Sequence, residues 1–246
     1  MHPNMLLYVE NDYGALSKKA ANLFADRIRE KPAGVYGFAT GSTPLGMYRE
    51  LIKIHNADFL DFSKAVTFNL DEYFPIKRAD NQSYYHFMNE NLFNHINVTR
   101  GNVHIPDGEA SDAESECRMY EIKIQQAGGI DCQILGVGAN GHIGFNEPGE
   151  SFGADTRVIN LTEMSIQSNS RFFNSPADVP RQAITMGVRT IMMSRSILLI
   201  CSGKAKAAIF RDALCGPITP LVPASVLQLH PDVCIVADKE AASLLP

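Results

Sequence analysis

Short apolar runs alternate along this chain with longer segments whose apolar positions recur at helical spacing. Residues 6–9 read as extended, and 13–28 as a helix with Leu16, Ala20, Leu23, Phe24 and Ile28 on one side. Further strands are predicted at 35–39, 65–70, 132–135, 196–201 and 233–237, and helices at 44–55, 83–93, 113–126 and 204–214. Strands this short and apolar, separated by helices, predict an α/β fold: an open, mostly parallel, Rossmann-like sheet with helices on both faces. No linker, internal repeat or low-complexity tract interrupts the pattern, so a single domain over 1–246 is expected.

In open sheets of this kind a ligand sits beyond the carboxyl ends of the strands. Four such ends are rich in polar residues: Thr40-Gly41-Ser42-Thr43-Pro44, Asp71-Glu72-Tyr73, the 136–147 loop and Ser202-Gly203-Lys204. The 136–147 loop is the most informative. Gly136, Gly138 and Gly141 allow positive φ and a close approach to a ligand, while His142 and Glu147 supply an imidazole and a carboxylate. The glycine spacing also matches a dinucleotide-binding turn, but Pro148 opposes a helix starting there, so a Rossmann cofactor site is set aside and no cofactor is expected.

The other ends each admit two readings. Gly41, Ser42 and Thr43 precede a helix with Pro44 as its first residue, so their N–H groups and hydroxyls could hold an anion, or Ser42 or Thr43 could simply cap the helix. There is no Walker A ending. Lys204 opens another helix, either as an anion ligand or as a solvated lysine. Arg171, in a helix opened by Thr162, could fork two N–H groups onto a phosphate or form a surface ion pair. Asp71 is either a partly desolvated proton-transfer base or a strand-end aspartate in a turn, and Glu72 reads as structural. Tyr84, Phe87, Met88 and Leu92 share a helical face and read as core, whereas His55, His86, His95 and His104 lack metal-ligand spacing.

Composition narrows the function classes. The 246 residues are 45% hydrophobic and 20% charged with a formal charge of -5, ordinary for one large α/β domain and unsuited to nucleic acid as the main partner. The longest strongly apolar run, 197–201, is far too short for a membrane span, and 6–9 too short for a signal-peptide core, which points to the cytoplasm. Five cysteines without CxxC spacing disfavour a disulfide framework and a zinc site; no metal is expected.

Taken together, Thr40-Gly41-Ser42-Thr43-Pro44, Phe68-Asn69-Leu70-Asp71-Glu72-Tyr73, Gly141-His142-Ile143-Gly144-Phe145-Asn146-Glu147-Pro148 and Asn169-Ser170-Arg171-Phe172-Phe173 resemble the glucosamine-6-phosphate deaminase family. Ser83-Tyr84-Tyr85 and Leu227-Gln228-Leu229-His230-Pro231 extend the resemblance over almost the whole chain. It implies interconversion of glucosamine 6-phosphate with fructose 6-phosphate and ammonia, without metal or organic cofactor. It also implies that His142 moves protons during ring opening with Glu147 orienting it, that Asp71 carries the C2 proton to C1, and that Gly41, Ser42, Thr43, Arg171 and Lys204 hold the phosphate.

Two departures from the family pattern stand out. Asn140 occupies a place where longer members carry an aspartate; it can position a partner but cannot exchange a proton near neutral pH. The chain ends at Pro246 without the extension of the allosteric members, and has Glu150 and Asn160 where those carry serine and lysine, so activation by N-acetylglucosamine 6-phosphate is not expected. Three other functions compete: a galactosamine-6-phosphate deaminase, a 6-phosphogluconolactonase, and a non-catalytic sugar-phosphate sensor. Phe145-Asn146-Glu147-Pro148 and Leu70-Asp71-Glu72-Tyr73 favour the deaminase over the lactonase, and the acidic charge and joint presence of Asp71, His142 and Glu147 disfavour the sensor. The expected partner is a small aminosugar phosphate, not nucleic acid or membrane, with the protein a monomer or homo-oligomer.

Overall fold

The apolar runs assemble in a computed structural model that describes residues 4–163, 166–167 and 179–246. In chain order the regular elements are β1 (Met5–Glu10), α1 (Tyr13–Glu30), β2 (Val35–Phe38), α2 (Ser42–Asp58), β3 (Val66–Asn69), β4 (Asp71–Phe74), α3 (Tyr84–Asn91) and β5 (Val103–His104). They continue with α4 (Ala113–Gln126), β6 (Cys132–Gly136), β7 (Arg157–Asn160), β8 (Gln182–Thr185), α5 (Val188–Met192), β9 (Ser196–Cys201), α6 (Ala207–Cys215) and β10 (Val233–Asp238). Helix starts follow from local chemistry. Asp12, Ser83 and Asp112 are extended caps whose side chains accept a hydrogen bond from the N–H three residues on, at the starts of α1, α3 and α4.

Seven strands form one sheet in the order β1-β10-β9-β6-β2-β3-β5, and every pairing in it is parallel. Helices cover both faces, because alternate residues point to opposite sides. Tyr36 and Phe38 of β2 meet Phe24 of α1 edge-on, while Phe68, in register with Gly37 between them, meets Tyr120 of α4. The α/β expectation holds, and the buried aliphatic runs of β6, β9 and β10 form the middle of its core.

A second sheet of three strands, β4-β8-β7, is antiparallel throughout and was not expected from the sequence pattern. The predicted strand 65–70 ends at Asn69, and after Leu70 the chain re-enters extended structure in β4, in the other sheet. The small sheet packs with Ile76, Phe145, Leu161 and Ile166 into a core of its own. The predicted helix at 44–55 begins earlier, at Ser42. The helix at 204–214 opens instead as a 3-10 turn, Lys204–Lys206, before α6.

Candidate active site

β2 and β6 are neighbours, yet from β2 the chain proceeds outward to β3 and β5, and from β6 in the opposite direction to β9 and β10. Such a reversal opens a crevice at the carboxyl ends of the two strands. The 40–43 segment and the 136–147 loop follow those ends. At the first, Gly41 caps α2 with φ +99, a conformation that costs a residue with a Cβ, and makes no side-chain cap. Ser42 and Thr43 are therefore inside the helix rather than capping it, and their hydroxyls are not used up at the helix start. The Tyr13 hydroxyl braces this turn, lying 2.9 Å from the Ser42 carbonyl and 2.8 Å from the Gly46 N–H that it accepts.

The ammonium that reaches this helix start belongs to Lys206. Its Nζ lies 2.6 Å from the Val137 carbonyl and 3.5 Å from Thr43 Oγ1, and its partial burial lowers its pKa. Lys204, the lysine singled out from the sequence, is exposed, and its backbone N–H donates to Glu240. Both lysines lie in one 3-10 turn, where positions two apart point in different directions. Arg171, together with the 169–173 motif, lies outside the described residues.

Asp71 opens β4 and is buried, at 5% exposure, so it is not a turn residue. Burial, with the Glu72 carboxyl next to it, pushes its pKa up to about 8. Glu72 points away and accepts the N–H groups of Tyr73, Tyr84 and Tyr85 at 2.8–2.9 Å, the last two from the first turn of α3. Burial pushes Glu72 up to about 7 against the pull of those donors. Its structural reading stands on these contacts.

The 136–147 loop brings its groups to the same place. Gly144 has φ +56, and a Cβ there would lie 3.4 Å from Asp71 Oδ2 and 3.2 Å from Thr185 Oγ1. The turn therefore lies directly on the carboxyl. His142 packs over Gly138, where a Cβ would overlap its ring. Its Nδ1 is 3.4 Å from Glu147 Oε1, in ion-pair range but without a formed hydrogen bond. Asn140 Nδ2 donates to the other oxygen, Glu147 Oε2, at 2.6 Å, while Asn140 Oδ1 lies 3.3 Å from the His142 N–H. Glu147 is thus held between an amide and an imidazole. The crevice joins a partly exposed imidazole, a buried carboxyl and a helix start whose N–H groups and hydroxyls are open to an anion, a set suited to acid–base chemistry on a small anionic substrate.

Among the described residues, no group of three or more His, Cys, Asp or Glu is placed to hold a metal ion, and the five cysteines are free. No helix among them is long and apolar enough to cross a membrane. Sequence reasoning missed Lys206 and the second sheet. Lys206 carried one signal, a basic residue two positions beyond the expected one in the same turn, and nothing in the local pattern separated the two.

Residues 11–235 match the family model described as glucosamine-6-phosphate isomerases/6-phosphogluconolactonase. A glucosamine-6-phosphate deaminase from Alkaliphilus oremlandii is 53% identical over 241 residues, covering 98% of this chain and 100% of the relative. One from Thermoanaerobacter pseudethanolicus is 54% identical over 242 residues, with 98% and 96% covered. The solved structure of a monomeric glucosamine-6-phosphate deaminase superposes with a TM-score of 0.95 at 48% identity, covering 98% of this chain and 100% of the other. A 6-phosphogluconolactonase from Thermotoga maritima shares the fold, with a TM-score of 0.74 at 23% identity.

Proposed function

The chain belongs to the glucosamine-6-phosphate isomerase/6-phosphogluconolactonase family, and within it we propose that it is a glucosamine-6-phosphate deaminase, converting glucosamine 6-phosphate and water to fructose 6-phosphate and ammonia. The observation that carries this reading is the buried Asp71 carboxyl lying against Gly144, in the loop that presents His142 and Glu147. A carboxyl with a pKa near 8 is a stronger base than a solvated one, as removing a carbon-bound proton requires.

The phosphate is held by the Gly41, Ser42 and Thr43 segment at the start of α2, by Lys206, and by Arg171. His142, oriented by Glu147, takes the proton from the anomeric hydroxyl and delivers one to the ring oxygen, opening the pyranose to an aldehyde. Asn140 holds Glu147 in place and exchanges no proton. As Asp71 removes the proton from C2, the substrate's ammonium passes a proton to the aldehyde oxygen, giving a neutral enolamine, and Asp71 then returns its proton to C1. C1 becomes an alcohol carbon and C2 an iminium carbon. Water adds at C2 and the nitrogen leaves as ammonia. The hydrogen lost by C2 is gained by C1, so no external oxidant or reductant is needed.

A lactonase does not need a base at C2, and a sensor needs no chemistry. The deciding experiment is ammonia release from glucosamine 6-phosphate by the purified protein, with wash-in of solvent deuterium at C1 of the product. Galactosamine 6-phosphate in parallel separates the epimers, and 6-phosphogluconolactone tests the other branch of the family. The 48% identical solved relative is described as monomeric, which supports a monomeric active unit here, checked by sizing the active fraction. The substrate is a phosphorylated sugar and the thiols are free, both of which suit the cytoplasm.

A further inference from the structure

The small sheet contacts the 143–147 turn with three side chains in a row. Asp71 of β4 pairs with Thr185 of β8, and Thr185 pairs with Arg157 of β7. Directly paired residues in an antiparallel sheet share a face, so the three side chains point the same way. They meet three successive residues of the turn. Asp71 lies against Gly144, Thr185 Oγ1 accepts the Phe145 N–H at 3.2 Å, and Arg157 Nη2 donates to Asn146 Oδ1 at 2.9 Å.

Arg157 is the unexplained member. It is half-buried, burial lowers its pKa, and among the described residues it forms no ion pair. Among the described residues its other hydrogen bond is a long one to the Asp155 carbonyl, 3.4 Å, and its guanidinium packs on Gly153. A desolvated guanidinium without a carboxylate destabilises a fold unless its donors are needed.

We propose that Arg157 is a positioning residue of the reaction, which sets the orientation of the Asn146 amide and through it the turn carrying His142 and Glu147. This rests on the deaminase reading. An arginine only donates, so Asn146 must turn Oδ1 toward it. The amide nitrogen then faces the Ile143 and Met186 carbonyls, to each of which it donates at 2.8 Å. Those two bonds tie the turn to itself and to the end of β8. A flipped amide would set its oxygen against both carbonyls and release the turn from the sheet that holds Asp71.

The test is steady-state kinetics on glucosamine 6-phosphate for Arg157→Met, Arg157→Lys, Asn146→Ala and the Arg157→Met/Asn146→Ala double variant. Arg157→Met should lower kcat on the order of 10²-fold, as expected for a misplaced catalytic group. KM should stay within about twofold, because the phosphate groups are on the other sheet. Arg157→Lys, which keeps a donor, should recover part of the loss, and the double variant should be no slower than Asn146→Ala alone. Should Arg157→Met not fold, Gly153→Ala keeps the charge and displaces it, since a Cβ there overlaps the guanidinium, and the same kcat loss is expected. Parental kcat in Arg157→Met or Gly153→Ala, additive losses in the double variant, or a KM that rises with the fall in kcat would overturn the proposal. A parent that releases no ammonia would instead sink the deaminase reading itself.

Discussion

In the parallel sheet, the groups that would meet the substrate stand at strand ends, as backbone N–H donors, hydroxyls and one lysine that water also reaches. In the small antiparallel sheet a carboxyl is held away from water at the head of a strand, against a glycine turn. The first arrangement suits an anion. The second raises the basicity of Asp71 and gives it a fixed neighbour. Anion binding and the C2 proton transfer assigned to Asp71 therefore rest on different sheets, and changes in one should leave the signature of the other nearly intact.

Asp71→Asn should be the most damaging change. It removes the base and should lower kcat by about 10²–10⁴-fold or more, with deuterium exchange at C2 lost and KM little altered. The same variant should be more stable than the parent. The Asp71 pKa of about 8 in the folded protein lies above its unfolded value near 3.8, so between those values only the unfolded chain gives up the proton. Parental stability thus falls as pH rises from 4 to 8 and levels off above, a difference on the order of several kcal/mol. Thermal melts at pH 5 and 8 should show a Tm gain for Asp71→Asn that widens with pH. By the same ionisation, kcat/KM of the parent should rise with pH through about 8. A gain that shrinks with pH would mean the carboxyl is ionised in the folded state.

Lys206→Ala addresses the other sheet. Losing a charge-assisted hydrogen bond of about 1.5–3 kcal/mol should raise KM by about 10–100-fold while kcat moves little. A fall in kcat with KM unchanged would place Lys206 in the chemistry and erase the division between the sheets.

Glu72→Gln separates stability from catalysis within the small sheet. Glu72 accepts three N–H groups from Tyr73 and the start of α3. An amide offers one acceptor oxygen and turns donors toward donors, so a loss of about 1–3 kcal/mol per unsatisfied group is expected in denaturant unfolding, with kcat within a few fold. Loss of activity at full stability would make Glu72 part of the reaction.

The parallel sheet was legible because each of its long strands is an apolar run bounded by a helix, and the helix at 113–126 ends where its pattern does. The small sheet was not. β4 follows β3 with only Leu70 between them, so one continuous extended stretch hides a change of sheet. β7 and β8 have four residues each and show no clean alternation between buried and exposed positions. Asp71 could be named from its place after a strand, but its burial depends on that second sheet and is invisible in local sequence. His142 and Glu147 stood out as an imidazole and a carboxylate in a glycine-rich loop, and Asn140 only through the family resemblance; the fold sets the three side by side. Arg157, in Arg-Val-Ile-Asn, carried no signal at all.

The smallest expected effect is also the sharpest test of where the anion sits. Lys204 and Lys206 share a turn, a charge and a side-chain length, so the overall field of the protein hardly distinguishes them. Geometry does. Lys206 Nζ is within reach of Thr43 and the Val137 carbonyl, whereas the Lys204 side chain is exposed beyond the crevice. Long-range attraction of an anion by an exposed lysine is screened over about 8–10 Å of salt solution, so Lys204→Ala should change KM by less than about twofold, and only at low ionic strength. The measurement is KM for both alanine variants at low and physiological salt. Equal effects that both fade with salt would mean the two lysines act only as a diffuse field, and the direct contact assigned to Lys206 at the start of α2 would have to be withdrawn.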